Sequence, residues 1–265
     1  MMKATLFLGA GRITSALAAG LRLAGDRRKI LVYDRHPEKL RVLRRESRVE
    51  IARDLKSAVQ SAEMLIVAVR PGSVKEMLAE IVACGAKPPQ LGISLAAGVP
   101  LRKLRAWLGS VHWTRAMPSP VCRIGKGLTP VSFDRTVGRD ERVGVRRLFE
   151  QVGPVLEIRE RQMDIITAAH SPSHGYHALA TLARTAQDAG LDRQTALIAA
   201  AHALGDGILY WRESGVGLDE LLHEAATPGG IAAATMAAMN KSGYARVIEK
   251  GLKTGIRRAR ENAKI

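Results

Sequence analysis

Cysteine is scarce: the 265 residues include two, Cys84 and Cys122, far apart and with neither CxxC spacing nor a neighbouring histidine cluster. That excludes a disulfide framework and a zinc-finger type of site, and it suits a reducing compartment, the cytoplasm. Aromatic residues make up 4% of the chain, too few to provide the stacking platforms on which single-stranded nucleic acids are held. No apolar run approaches the roughly 18 residues that suggest a membrane span. The short apolar run that follows Lys3 and ends at Gly9 is too brief for a signal-peptide core. No membrane association is expected.

Acidic residues are also in short supply, 25 against 41 Lys and Arg, for a net charge of +16. The basic residues are scattered over helix surfaces, as at Arg41, Arg44, Arg45 and Arg48, and form no stripe of the kind that tracks a phosphate backbone. A nucleic-acid partner is therefore not expected, whereas an anionic cofactor and an acidic small-molecule substrate suit such a surface. What the chain does have is an ordinary globular composition, 46% hydrophobic and 25% charged, in a length that suits two domains.

The first third alternates short apolar runs with longer amphipathic segments. Ala4–Leu8, Ile30–Tyr33, 64–69 and 91–95 read as buried strands, and 15–24, 38–45, Leu55–Ser61 and 74–82 as helices, which is the order of a parallel sheet with helical crossovers. Further strands are predicted at 111–115, 128–133 and 155–158, with a helix at 141–151. After Arg159 the sequence becomes Ala-rich, with helical segments at 176–188, Arg193–Ser214, Leu218–Ala225 and 230–242. The expected architecture is α/β: an N-terminal dinucleotide-binding Rossmann domain over 1–159, followed by an all-helical dimerisation domain over 160–265. Long Ala-rich apolar faces of that kind tend to be buried against a second copy, so a homodimer is expected.

Where the first strand meets the first helix stands Gly9-Ala10-Gly11-Arg12-Ile13-Thr14. Gly9 permits the tight turn and Gly11 lets a pyrophosphate approach the free amides and positive dipole of the helix start. Thr14 stands in place of the third glycine of the dinucleotide fingerprint, and Ala16 is the expected small packing residue. Asp34 follows the second strand, where a carboxylate can accept from an adenosine ribose. Its neighbour Arg35 could instead hold a 2′-phosphate, so NAD and NADP both remain open.

Three further runs, Ala68-Val69-Arg70-Pro71, Arg115-Ala116-Met117-Pro118 and Thr227-Pro228-Gly229-Gly230, appear in an order and spacing that resembles the pyrroline-5-carboxylate reductase family. Gly125-Lys126-Gly127 and 163–168 extend the likeness over nearly the whole chain. The resemblance implies an NAD(P)H-dependent, oligomeric imine reductase. It also implies that Ala68, Val69, Arg70, Pro71, Met117 and Pro118 line the nicotinamide end, while Thr227, Pro228, Gly229 and Gly230 cradle a substrate carboxylate. Read by itself, Thr227-Pro228 is an ordinary helix start with Thr227 as N-cap.

Several signature positions differ from the family pattern. A lysine is Arg70, an Asn-Thr-Pro segment is Ser119-Pro120-Val121, a Ser-Gly-Ser-Gly-Pro-Ala stretch is 170–175, and a hydroxyl residue two places after the glycine pair is Ala232. With that hydroxyl gone, His170, His174 and Tyr176 are the candidate proton donors. The expected function is reduction of an imine or carbonyl compound carrying a carboxylate, on a substrate other than the family's. Pyrroline-5-carboxylate itself is the alternative, and a nucleotide-sensing protein without turnover is the second. No metal is expected.

Overall fold

The computed structural model describes residues 4–264, so Lys3 lies outside the described residues. Two compact units are present: one runs up to His170 and resumes at Thr254, and the other is Ser171–Lys253.

The first unit alternates strands and helices in the order β1 (Ala4–Leu8), α1 (Arg12–Leu23), β2 (Ile30–Tyr33), α2 (Pro37–Ser47), β3 (Glu50–Ile51), α3 (Leu55–Ser61), β4 (Ala62–Val67), α4 (Val74–Ala83), β5 (Leu91–Ser94), α5 (Leu101–Trp107), β6 (His112–Ala116), β7 (Thr129–Phe133), α6 (Arg139–Glu150), β8 (Val155–Glu157) and α7 (Met163–Ala169). The strands form one sheet in the order β3-β2-β1-β4-β5-β6-β7-β8. All neighbours are parallel except β6 and β7. Consecutive strands lie on opposite sides of β1, so a crevice opens between the C-terminal ends of β1 and β4, the place where α/β sheets bind ligands.

β1 shows why its sequence, apolar apart from Thr5, does not alternate. All five residues are buried, with Phe7 facing the core beneath α1, α2 and α6 and Ala4, Leu6 and Leu8 facing the core beneath α3, α4 and α5. A parallel strand covered on both faces has no solvent side to mark with polar residues. At about 25 cal/mol per Å² of apolar surface removed from water, these two clusters are the main source of stability for the sheet.

The second unit is helical: α8 (Ser173–Asp188), α9 (Arg193–Ser214), α10 (Leu218–Ala225), α11 (Ile231–Lys241) and the opening turns of α12 (Tyr244–Asn262). Asp192 caps α9 by accepting from the Gln194 and Thr195 amides, and Gly215 ends it in the left-handed conformation (φ +72°). α9 carries apolar residues all round, and Ile208, Leu209, Tyr210 and Trp211 are each about half exposed, at 46–58%. No described helix is long and apolar enough to cross a membrane.

Several elements differ from the sequence reading. α1 starts three residues earlier than expected, at Arg12 directly after Gly11. β3 and α5 were not expected: β3 has two residues, too few for a periodicity, and α5 has seven, with only Leu101 and Leu104 buried. The basic closing stretch forms a helix that begins at Tyr244.

Candidate functional site

The crevice is built around Gly9. Its amide donates to the Tyr33 carbonyl at 2.8 Å, and the Ala68 amide donates to the Leu8 carbonyl, also at 2.8 Å, so the three strand ends are tied together where the chain turns. Gly9 has φ +110°, and a Cβ on it would lie 2.8 Å from the Ala68 carbonyl oxygen. Only glycine suits both the conformation and the space. Gly11 is different. It caps α1 with extended backbone (φ −80°), and a Cβ there would have nothing nearer than Ala68 O at 4.0 Å. The protein itself does not require glycine at 11; a group lying across the start of α1 would.

Thr14 fills the position of the missing third glycine without opening the turn. Fully buried, it donates through Oγ1 to the Gly9 carbonyl at 2.6 Å. Ala16, the expected small packing residue, is buried in the core beneath α1, and Gly20 of the same helix allows a close approach to a neighbouring turn, where a Cβ would stand 2.0 Å from the Cys122 carbonyl. Cys122 lies in the 3-10 turn Pro120–Ile124, and its thiol is buried, which pushes its pKa up to about 12.

Beside the turn, an open cleft of about 330 Å³ is lined by Ala10, Gly11, Arg12, Ser15, Glu38, Lys39 and Glu46, among others. Ile13 is half-buried and packs against the core. Asp34 closes the end of β2: Oδ2 accepts from the Ala10 amide at 2.7 Å, and Oδ1 accepts from the His36 amide at 2.8 Å and lies 2.8 Å from His36 Nδ1. Burial works against its charge, but the hydrogen bonds from Ala10 and His36 outweigh that, and its pKa lies below the ordinary carboxylate value. Arg35 turns away to pair with Glu76 at 3.1 Å and with Glu80, both on α4.

At the other side of the crevice, Ala68 and Val69 are half-buried and Arg70 is exposed, leading into the 3-10 turn Pro71–Ser73. Met117 and Pro118 continue β6 past its last residue, held by the Met117 amide donating to Pro130 O at 2.9 Å. Two residues before Met117, within β6, Arg115 is 2% exposed and pairs with Asp164 of α7 at 3.1 Å and with Glu160 at 3.6 Å.

His170 and His174 do not share a helix. Pro172 divides the segment: α7 ends at Ala169 with His170 as C-cap, and His174 belongs to α8. His170 has both ring nitrogens against carbonyls, Nδ1 2.7 Å from Ile166 O and Nε2 2.8 Å from Met117 O. Both nitrogens thus face protein carbonyls, of which a neutral imidazole can donate to only one. Sequence reasoning missed this because a hydrogen bond between residues 53 apart leaves no local pattern. His174 and Tyr176 are exposed in the first turn of α8.

In the second unit Thr227-Pro228-Gly229-Gly230 forms a turn, with the Gly230 amide donating to Thr227 O at 2.9 Å and Gly229 at φ +77°. Gly230, not Thr227, is the N-cap of α11, and no side chain satisfies the helix's first amides. Thr227 Oγ1 instead donates back to Glu224 O. Among the described residues no group of three or more His, Cys, Asp or Glu is arranged to hold a metal ion.

Comparison with known proteins bears on both units. Residues 5–98 match the family model described as NADP oxidoreductase, coenzyme F420-dependent, and residues 160–262 match that of pyrroline-5-carboxylate reductase dimerisation. The C-terminal match is thus to the pyrroline-5-carboxylate reductase dimerisation family, and the chain is similar to these reductases over nearly its whole length. It is 29% identical over 264 residues to the pyrroline-5-carboxylate reductase of Synechocystis sp., covering 97% of each chain. With pyrroline-5-carboxylate reductase 1 of Bacillus subtilis it shares 26% identity, over 98% of this chain and 89% of that one. Its fold is that of the Plasmodium falciparum pyrroline carboxylate reductase solved with NADP bound (TM-score 0.87, 21% identity, 99% and 98% coverage) and of the Coxiella burnetii pyrroline-5-carboxylate reductase (TM-score 0.87, 23% identity, 100% of both chains).

Proposed function

We propose that the chain reduces the C=N bond of a small imine that carries a carboxylate, with pyrroline-5-carboxylate the first substrate of that class. The observation that carries the reading is Gly11, a glycine that neither backbone conformation nor neighbouring atoms require, at the start of α1 and beside an ionised Asp34. When bound, the nicotinamide cofactor supplies the hydride. Residues 1–159 are read as the dinucleotide-binding domain and 160–265 as the helical substrate and dimerisation domain.

Gly9, Gly11, Arg12 and Ile13 form the turn and helix start that receive the pyrophosphate, through free amides and the helix dipole. Asp34 receives the adenosine ribose. Ala68, Val69, Arg70, Pro71, Met117 and Pro118 are assigned to the nicotinamide end, with His170 holding the Met117 carbonyl. Thr227, Pro228, Gly229 and Gly230 are assigned to the substrate carboxylate, which the uncapped amides at the start of α11 suit. Proton donation to the imine nitrogen falls to Tyr176 or His174, or to solvent, because α11 offers Ala232 in its first turn and no hydroxyl. The apolar surface of α9, open in a single copy, supports assembly as a homodimer.

One observation favours a second reading, a re-purposed pocket acting on a different imine or a carbonyl: Ala232 stands where the family pattern has a hydroxyl. The test is oxidation of NADH and NADPH by the purified protein with pyrroline-5-carboxylate, other cyclic imines and 2-oxo acids. Turnover of pyrroline-5-carboxylate well above the rest supports the first reading, and turnover confined to other compounds supports the second. Inertness towards the whole panel would rule out both.

A further inference from the structure

The corner beyond β2 carries a charge arrangement that bears on which cofactor is taken. We propose that Asp34, together with the Arg35–Glu76–Glu80 cluster, makes this chain selective for NADH over NADPH. The proposal rests on the reductase reading only for the presence of a dinucleotide in the crevice.

Asp34 is not a loose side chain. The Ala10 amide and two groups of His36 use three of the roughly four acceptor positions of its carboxylate and fix it at the strand end, next to the glycine turn. The position left on Oδ2 suits a hydroxyl that donates, such as the ribose 2′-OH. A phosphate ester at that oxygen brings only acceptors and about two negative charges to a fixed carboxylate.

Such a phosphate can be tolerated if nearby cations answer it, and these are accounted for. Arg35, adjacent in sequence and the natural candidate, directs Nη2 to Glu76 and Glu80 of α4, so one guanidinium faces two carboxylates and the cluster is net negative. The cleft lining holds Arg12 and Lys39, but also Glu38 and Glu46, which balance them. Glu46 is further engaged by Ser15 and, at 3.9 Å, by Arg123. With Asp34 included, this region of an otherwise strongly basic protein has no surplus of positive charge, and the 2′-phosphate meets a negative corner.

The experiment is titration of the purified full chain with NADH and with NADPH, followed by the fluorescence of the reduced nicotinamide, which needs no substrate. The expected result is tighter NADH binding by about tenfold or more, a difference of about 1.4 kcal/mol. Asp34→Asn should bring the two affinities to within about threefold by weakening NADH and admitting NADPH. The double variant Glu76→Gln, Glu80→Gln should release Arg35 and improve NADPH binding while leaving NADH unchanged; it perturbs only exposed ion pairs, so it stands in if Asp34→Asn disturbs the turn. Equal or tighter binding of NADPH by the unaltered chain, or a ratio unmoved by both variants, overturns the proposal and leaves the reductase reading standing. Failure to bind either nucleotide overturns both.

Discussion

The His170 ring fastens Met117 to α7: Nε2 lies 2.8 Å from the Met117 carbonyl oxygen, and Nδ1 lies 2.7 Å from the Ile166 carbonyl one turn back on its own helix. Met117 and Pro118 are the segment assigned to the nicotinamide, so the ring is expected to set where that segment lies rather than to deliver a proton. His170→Ala is expected to cost about 1–2 kcal/mol of stability and to lower kcat/KM by about tenfold through misplacement. Both limbs of the pH–rate profile should stay where they were. Disappearance of one limb in the variant would instead make His170 the proton donor.

Gly9 and Gly11 separate what the fold needs from what the ligand needs. Gly9→Ala forces a side chain into φ +110° and against the Ala68 carbonyl at 2.8 Å, and a loss of at least about 2 kcal/mol is expected in denaturant unfolding. Gly11→Ala meets nothing within the protein closer than 4.0 Å and should cost about 0.5 kcal/mol as a poorer N-cap. Its nucleotide affinity should nevertheless fall about tenfold or more, because the added methyl group occupies the path of the pyrophosphate. Unchanged affinity for Gly11→Ala would remove the main support for the cofactor site.

Arg115 is buried to 2% exposure and depends on Asp164 at 3.1 Å, with Glu160 more distant at 3.6 Å. Asp164→Ala leaves a guanidinium with inadequate compensation, and a loss of about 3 kcal/mol is expected from chemical denaturation. Glu160 has a second task, accepting from the Leu101 amide at the start of α5 at 2.6 Å. A loss near zero in Asp164→Ala would mean that water or Glu160 takes over completely.

Cys122 should be chemically silent. Burial raises its thiol pKa from 9.0 to about 12, so a thiol reagent at pH 8 should label Cys84, which is partly exposed, and reach Cys122 only on unfolding. The sign of the linked stability follows from the raised value. The neutral thiol's contribution is complete below the unfolded-state value near 9 and is lost as pH climbs towards about 12. Cys122→Ser should weaken that alkaline decline, and fast labelling of Cys122 in the folded chain would contradict the burial.

Much of the first unit was legible because a parallel sheet writes itself in continuous apolar runs: Ala4–Leu8 and Ile30–Tyr33 match their strands residue for residue. The glycine turn and Asp34 were legible because their roles are local, set by φ and by position at a strand end. What did not show were relations between distant residues: His170 with Met117, Gly20 under Cys122, and Arg35 drawn towards Glu76 and Glu80. Packing and charge pairing across the fold decide these, and periodicity carries no trace of them. The N-cap at 227–230 was misplaced for a related reason. Thr227 has the right chemistry for a cap, but Gly229 in the left-handed region moves the helix start on to Gly230.

α12 ends against the first unit. A Cβ on Gly98 (φ +80°) would lie 1.9 Å from Ala259 O, and Asn262 Nδ2 donates to Ala97 O at 3.2 Å. The loop between β5 and α5 is thus moulded to residues made more than a hundred positions later. On the ribosome, the sheet can assemble as it emerges, but this loop has nothing to close on until Ala259 and Asn262 have followed it. A nascent chain arrested before Ala259 would expose that seat.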